Sequence, residues 1–563
     1  MEPHHDGHIL KVLPMLASNE NFSRLTTAFV AGIAAHIIIF RRGEWDIAAA
    51  RIPVGLFILQ SCLFSYYLFV PGPPTSIYTA LWLVGQITLG FIAGTTVSIL
   101  SYRAFFHRLN SFPGPFPARL SMWYVTSLYA QNPDAFNTVR GLHQQYGDFV
   151  RTGPTELSVN HPDALQAVHS GRSECTKGPW YSMLHPFISL FAIRDKAEHS
   201  RRRKPWELAF RPNAVLEYLP ALEKGTNELL EQVERRKGKS MDMTYWINLF
   251  TFDLTGRVAF SQEYECVKHN KRHPIMEIND SSNLVTGVVS HVVWLISFIK
   301  ATPGLNANMK ALIGFSEEQV QNRQKMQTSG QRDVFSWLWE DFKEQGMETP
   351  QSKLDLVADA SLVIFAGSGT VAVTIIGCLY FLTSTSPDYL TQIRQELDTL
   401  DEINSHTLSK VQTLNAVINE TLRLHYPALS GFQRQTPPGG LHIAGRYIPG
   451  NTNIKIPFYT LFLDERNFAE PEKFIPERWT TRKELVKNPE AFAPFLLGPY
   501  NCLGKSLALM QVRHVLVELI RRYEIVLAPG ADPEKYWRER TDGFVMGLAP
   551  LDLAFTEREM AGF

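Results

Sequence analysis

The chain has 563 residues, of which 55 are basic, 55 acidic and 45% hydrophobic. Zero net charge excludes a global electrostatic pull toward nucleic acid. Length and apolar content suit one large catalytic domain plus a membrane region better than several small domains. The five cysteines, Cys62, Cys175, Cys266, Cys378 and Cys502, are scattered, without C-x-x-C spacing. They supply no disulfide framework and suit a reducing compartment.

The first hundred or so residues are far more apolar than the rest. Residues 25–40 form a first run, short for a bilayer core of about 30 Å. Residues 52–70 and 77–100 carry no charge and are long enough to span. Pro71-Gly72-Pro73-Pro74 separates them. A buried helical hairpin would give a similar pattern. A signal peptide is disfavoured, because no small-residue cleavage pattern precedes Arg41-Arg42 and two more apolar runs follow. Arg41, Arg42 and Arg51 lie between the first two runs, and Arg103 and Arg108 follow the third. The positive-inside rule places these segments in the cytosol. Three spans then put the N-terminus in the lumen and everything after residue 110 in the cytosol. The expected division is a lumenal tail (1–24), a membrane region (25–110), a stiff proline-rich hinge (111–120) and a catalytic domain (121–563). Asn21-Phe22-Ser23 is a glycosylation sequon beside the first span.

Past the hinge, residues 199–210 are a basic run with His199 and Arg203 at i and i+4, a spacing that shares one face of a helix. Residues 354–382 read as a long helix crossing a core. Ala366-Gly367-Ser368-Gly369-Thr370 interrupts it, and two mid-helix glycines cost roughly 1 kcal/mol each, so they invite a reason. Close packing against another helix is one such reason. Further on, Glu420 and Arg423 stand at i and i+3, where they can pair.

The most informative segment is Phe495-Leu496-Leu497-Gly498-Pro499-Tyr500-Asn501-Cys502-Leu503-Gly504, just ahead of a helical run over 505–522. Unpaired N–H groups at a helix start favour an anion and lower a thiol's pKa. The glycines let backbone approach something flat and bulky. A thiolate so held can be an axial haem-iron ligand. An isolated cysteine is otherwise a small buried hydrophobe.

In this context the segment resembles the cytochrome P450 signature F-x-x-G-x-R-x-C-x-G, matched by Phe495, Gly498, Cys502 and Gly504. Tyr500 stands where the family usually has an arginine that meets a haem propionate. Glu420 and Arg423 match E-x-x-R. Pro476-Glu477-Arg478-Trp479 is similar to P-E-R-F. Residues 366–370 resemble A/G-G-x-D/E-T, with Gly369 in place of the acid. Tyr146 to Pro154 resembles the family's first sheet, and 199–210 its basic proximal helix. The resemblance runs from the proline-rich hinge onward.

The resemblance implies a mainly α fold with a small β region, preceded by transmembrane helices. It implies haem b (iron protoporphyrin IX) ligated by Cys502, with Phe495, Gly498, Tyr500 and Gly504 around it. His199, Arg203 and Arg434 become propionate contacts, and Glu420, Arg423 and Arg478 a buried structural triad. Thr370 would help protonate bound dioxygen, beside a local kink, without its usual acidic neighbour. The activity implied is monooxygenation of a lipophilic small molecule, with electrons from NADPH–cytochrome P450 reductase and cytochrome b5 as a second candidate donor. Arg201, Arg202, Lys204, Lys505, Arg513 and Arg521 are candidates for the docking face. The implied location is the endoplasmic reticulum membrane. The three-span leader resembles fungal microsomal members of secondary metabolism. The missing acid keeps an isomerase or dehydratase needing no external electrons as an alternative. A non-enzymatic haem- or lipid-binding protein and an unrelated membrane receptor fit less of the pattern.

Overall fold

The structure is a computed structural model that describes residues 19–70, 76–132, 134–326, 332–346 and 349–558. Most of the expected lumenal tail and the Pro71–Pro74 turn lie outside these residues. Three apolar helices come first: Asn19–Ala35, prolonged to Phe40 by a wide turn, Arg51–Phe69 and Ile77–Ser101. All are long and apolar enough to cross a membrane. A fourth such helix, Pro350–Tyr380 with its continuation to Thr385, is half-buried in the folded domain and belongs to its core.

The first and third helices pack through small residues. A Cβ on Gly94 would collide with the Phe29 carbonyl, and one on Gly32 with the Phe91 carbonyl. Gly90 and Gly94 therefore form a small-xxx-small face used inside the chain. His36 Nδ1 meets Ser98 Oγ at 2.7 Å and Thr95 Oγ1 donates to the Gly32 carbonyl at 3.2 Å. Contacts advance together along both helices, so the two run parallel. The helix between them, Arg51–Phe69, has no buried residue.

The remainder is mainly helical with small sheets. One sheet holds five strands in the order Phe149–Arg151, Glu156–Val159, Asn453–Lys455, Arg434–Gln435 and Thr176–Lys177. Glu156–Val159 and Asn453–Lys455 are parallel; the other neighbours are antiparallel. A second sheet joins Ser240–Asp242, Asp552–Glu557 and Tyr523–Leu527, and the hairpin Thr541–Gly547 stands apart. The proline-rich segment is not a free connector. Phe112 is buried under Arg446, whose guanidinium lies 4.2 Å from its ring, and the Pro113 carbonyl accepts the Arg151 N–H at 2.7 Å. The loop between the first two helices also touches the domain. Glu44 pairs with Arg194 at 2.6 Å, and Ser297 Oγ donates to the Asp46 carbonyl at 2.7 Å.

The long helix starts at a capping box. Thr349 Oγ1 accepts the Ser352 N–H at 3.1 Å, Ser352 Oγ accepts the Thr349 N–H at 3.0 Å, and Pro350 opens the first turn. Its 31 residues span about 46 Å at 1.5 Å per residue. It packs against Met243–Phe260 on one side and Lys505–Arg522 on the other.

Candidate active site

Cys502 lies on a loop shaped by backbone sterics. Leu496 and Gly498 have positive φ, 59° and 63°. A Cβ on Gly498 would sit 2.5 Å from the His169 carbonyl oxygen, so glycine is required there. The Cys502 N–H donates to the Phe495 carbonyl at 2.8 Å, and the helix Lys505–Arg522 begins three residues on. Gly504 has an ordinary φ of −75°, and a Cβ there would meet the thiol sulfur at 3.9 Å; space alone does not demand glycine.

Cys502 is an exposed residue, yet protein crowds around its thiol. That crowding pushes its pKa up, while the Gly504 and Lys505 N–H groups and the Arg203 charge pull it down. The helix start acts as the sequence implied, but burial outweighs it. A stable thiolate here needs a cation as its partner, and a metal ion deprotonates a coordinating thiol outright.

Arg203 clamps this loop. It donates to the Pro499 carbonyl at 2.8 Å and to the Asn501 side chain at 2.6 Å, and pairs with Glu207 at 2.7 Å. His199, four residues earlier, is buried with its ring edge-on to Tyr500 at 4.8 Å. Burial first, then Lys177, brings its pKa down to about 3, so the imidazole is neutral.

Around Tyr500 the structure adds a residue that sequence reasoning missed. Lys177 sits directly opposite Arg434 on paired antiparallel strands, and both side chains are buried. Each charge lies 4.9 Å from the Tyr500 ring centroid. Lys177 donates to the Leu190 carbonyl and Arg434 to Tyr181 Oη, but neither has a carboxylate partner among the described residues. Arg434 Nε and Tyr500 Oη are buried without a partner. Burial, then Arg434, pushes the Lys177 ammonium well below the usual lysine range. Like charges directly opposite on paired strands are destabilising, and buried cations need counter-charge. This cradle fits an anion, and two haem propionates have the charge it lacks. Lys177 and Arg434 thus place two cations beside the position where the family usually has an arginine.

Behind the loop, Glu420 accepts from Arg423 Nη2 at 2.8 Å, Arg478 Nε at 2.9 Å, Trp479 Nε1 at 3.0 Å and the Ile475 N–H at 3.0 Å. The side chains of Glu420, Arg423 and Arg478 are fully buried. The arginines spend further donors on the Phe462, Pro471 and Ala469 carbonyls. Trp479 is a fourth member that the triad reading did not include.

On the long helix, Ala366 and Gly367 are exposed amid buried neighbours such as Ile364 and Val371. Thr370 Oγ1 donates to the Ala366 carbonyl at 3.0 Å and Ser368 Oγ to the Ile364 carbonyl at 3.0 Å. The helix runs unbroken from Pro350 to Tyr380, through both glycines. A Cβ on Gly369 would meet Val545 at 3.5 Å, ordinary contact. Gly369 and Ser368 open on a cavity of about 480 Å³ whose lining includes Asp242, Arg272 and Asp280. Arg202, suggested for docking, is buried and paired with Asp359 at 2.7 Å and Asp355 at 3.1 Å; it ties the basic helix to the long helix. Lys204, Lys505 and Arg521 are exposed.

The sequence model of the family described as Cytochrome P450 matches residues 113–555. The chain is 40% identical over 536 residues to cytochrome P450 monooxygenase FCK2 of Fusarium pseudograminearum, covering 94% of this chain and 97% of that protein. It is 40% identical to cytochrome P450 monooxygenase orf5 of Eupenicillium brefeldianum, over 83% of this chain and 95% of that protein. It is 30% identical to tryprostatin B 6-hydroxylase of Aspergillus fumigatus, over 99% and 100% of the two chains. The chain belongs to the cytochrome P450 family, whose members are haem-thiolate enzymes.

Proposed function

We propose that this enzyme inserts one oxygen atom from O2 into a lipophilic small molecule of fungal secondary metabolism, with Cys502 as the thiolate ligand of haem b. The observation that carries this reading is the anion-seeking pair Lys177 and Arg434 beside an open, loop-held Cys502. The relatives' names as monooxygenases and hydroxylases point the same way.

When bound, haem-thiolate supplies reductive activation of dioxygen. The protein supplies the rest. Lys177, Arg434 and His199 hold the propionates, and Arg203 fixes the Cys502 loop. Glu420, Arg423, Arg478 and Trp479 hold the chain behind it. Thr370 keeps a proton at Oγ1, lent to the Ala366 carbonyl beside the accessible Gly367. Gly369 offers no carboxylate beside Thr370; the carboxylates nearest to that glycine are Asp242 and Asp280, in the wall of the cavity it opens on.

Electrons come from NADPH–cytochrome P450 reductase, or from cytochrome b5, at a face carrying Lys204, Lys505 and Arg521. The enzyme sits in the endoplasmic reticulum membrane on three spans. Two findings support that topology. The first and third helices run parallel, so the second must return between them. The 41–50 loop touches the catalytic domain and so shares its side of the bilayer, as its arginines require.

The test is the carbon monoxide difference spectrum of the reduced protein in microsomes. A strongly red-shifted Soret band that Cys502→Ala abolishes is expected. Its persistence in that variant would refute the ligand assignment. Dependence on NADPH separates a monooxygenase from the electron-independent alternative.

A further inference from the structure

A second cavity, of about 50 Å³, lies between the sheet and the Thr541–Gly547 hairpin. Its wall includes chain neighbours of residues around the active site. Gln433 precedes Arg434, Trp180 precedes Tyr181, and Phe544 precedes Val545, which faces Gly369. The space suits a few waters or one small polar group, not a whole lipophilic molecule.

Its polar wall has a definite sense. Ser430 Oγ donates to Asp542, and its short contact with Tyr129 Oη then takes the tyrosine proton. With Asp542 ionised, both hydroxyl hydrogens are committed toward it, so Ser430 and Tyr129 offer lone pairs to the cavity. On another side, the Lys455 ammonium meets His291 Nδ1 at 3.2 Å. An ammonium can only donate, so the neutral imidazole carries its proton on Nε2. His291 is 8% exposed, lines the cavity, and its Nε2 has no partner. The nearby Gly287 carbonyl acts on this imidazole in the direction that favours its protonated form. Trp180 and Phe544, stacked at 5.8 Å and 13°, form the apolar border.

We infer that this cavity anchors the substrate through a secondary amide or lactam edge, its carbonyl accepting from His291 Nε2–H and its N–H donating to Ser430 or Tyr129. The flat apolar body lies against Trp180 and Phe544. Asp542 is a positioning residue that sets the direction of both hydroxyls. The inference rests on the proposed monooxygenase reading and narrows its substrate class.

The experiment uses the full-length protein in lipid nanodiscs and three probes: 2-quinolone, N-methyl-2-quinolone and 2-naphthoate. Binding is read by calorimetry, which needs no turnover, and the carbon monoxide spectrum is recorded on the same sample. 2-Quinolone is expected to bind about tenfold tighter than its N-methyl analogue, the worth of one hydrogen bond. His291→Phe should weaken both lactams, and Ser430→Ala should erase the difference between them. Equal affinity of the two lactams, or tighter binding of 2-naphthoate through Lys455, would overturn the inference. A missing red-shifted band with intact lactam selectivity would instead remove the haem-thiolate reading and leave the anchor standing.

Discussion

Lys177 and Arg434 face each other across two antiparallel strands, both buried, with the Tyr500 ring 4.9 Å from each charge. Two cations so placed destabilise the empty protein and favour the loaded one. Lys177→Met is therefore expected to raise the melting temperature of the haem-free protein and to lower haem retention about tenfold, the equivalent of one charge-assisted contact. Tyr500→Arg restores the family's usual residue but adds a third cation, and should impair haem binding on its own. Combined with Lys177→Met it should recover. Haem titration of the four proteins forms a double-mutant cycle, and additive losses would show that the two positions do not share an anion.

The carboxylate of Glu420 serves two buried arginines and Trp479. Glu420→Gln leaves both guanidinium charges buried without a counter-charge, a loss of about 3–5 kcal/mol. It should yield little folded holoprotein. Trp479→Phe removes one hydrogen bond to a charged group and should cost about 1.5–3 kcal/mol. Thermal melts followed by Soret absorbance read both.

Gly369→Asp meets no steric barrier at Cβ, 3.5 Å from Val545. The variant should fold and release less peroxide per NADPH consumed, because it restores an acid next to Thr370. Thr370→Ala should release more. A Gly369→Asp variant that binds haem normally but loses product would show that the glycine leaves room for substrate.

Burial lifts the Asp542 carboxyl from its ordinary 3.8 to about 7. Between those values the folded state keeps a proton that the unfolded state releases, so this group's contribution to stability falls as pH rises through the window. Above about 7 both states are ionised and the loss is complete. Asp542→Asn stays neutral throughout. Its stability advantage over the wild type should grow between pH 4 and pH 7, to the order of a few kcal/mol, and then level off. Melting curves of the two proteins across that range check it.

Local patterns announced most of the frame. The apolar runs became helices long and apolar enough to cross a membrane, the Glu420 and Arg423 spacing became a bidentate pair, and the Cys502 loop precedes a helix. What sequence could not reveal depends on contacts between distant segments. Lys177 sits in the two-residue strand Thr176–Lys177, too short for any periodicity to mark. Its importance comes from burial and from Arg434, which lies far along the chain. Arg202 looked like one of several surface cations, yet Asp355 and Asp359, on another helix, draw it inward. The net rise of the Cys502 pKa reflects a competition between helix N–H groups and burial, and spacing shows only the first.

The clasp of Glu44 by Arg194, with the Asp46 carbonyl held by Ser297, makes the first apolar helix a lever, not a tether. If that helix spans a bilayer as proposed, a bilayer too thin for it would make it lean, and the domain it clasps would lean with it.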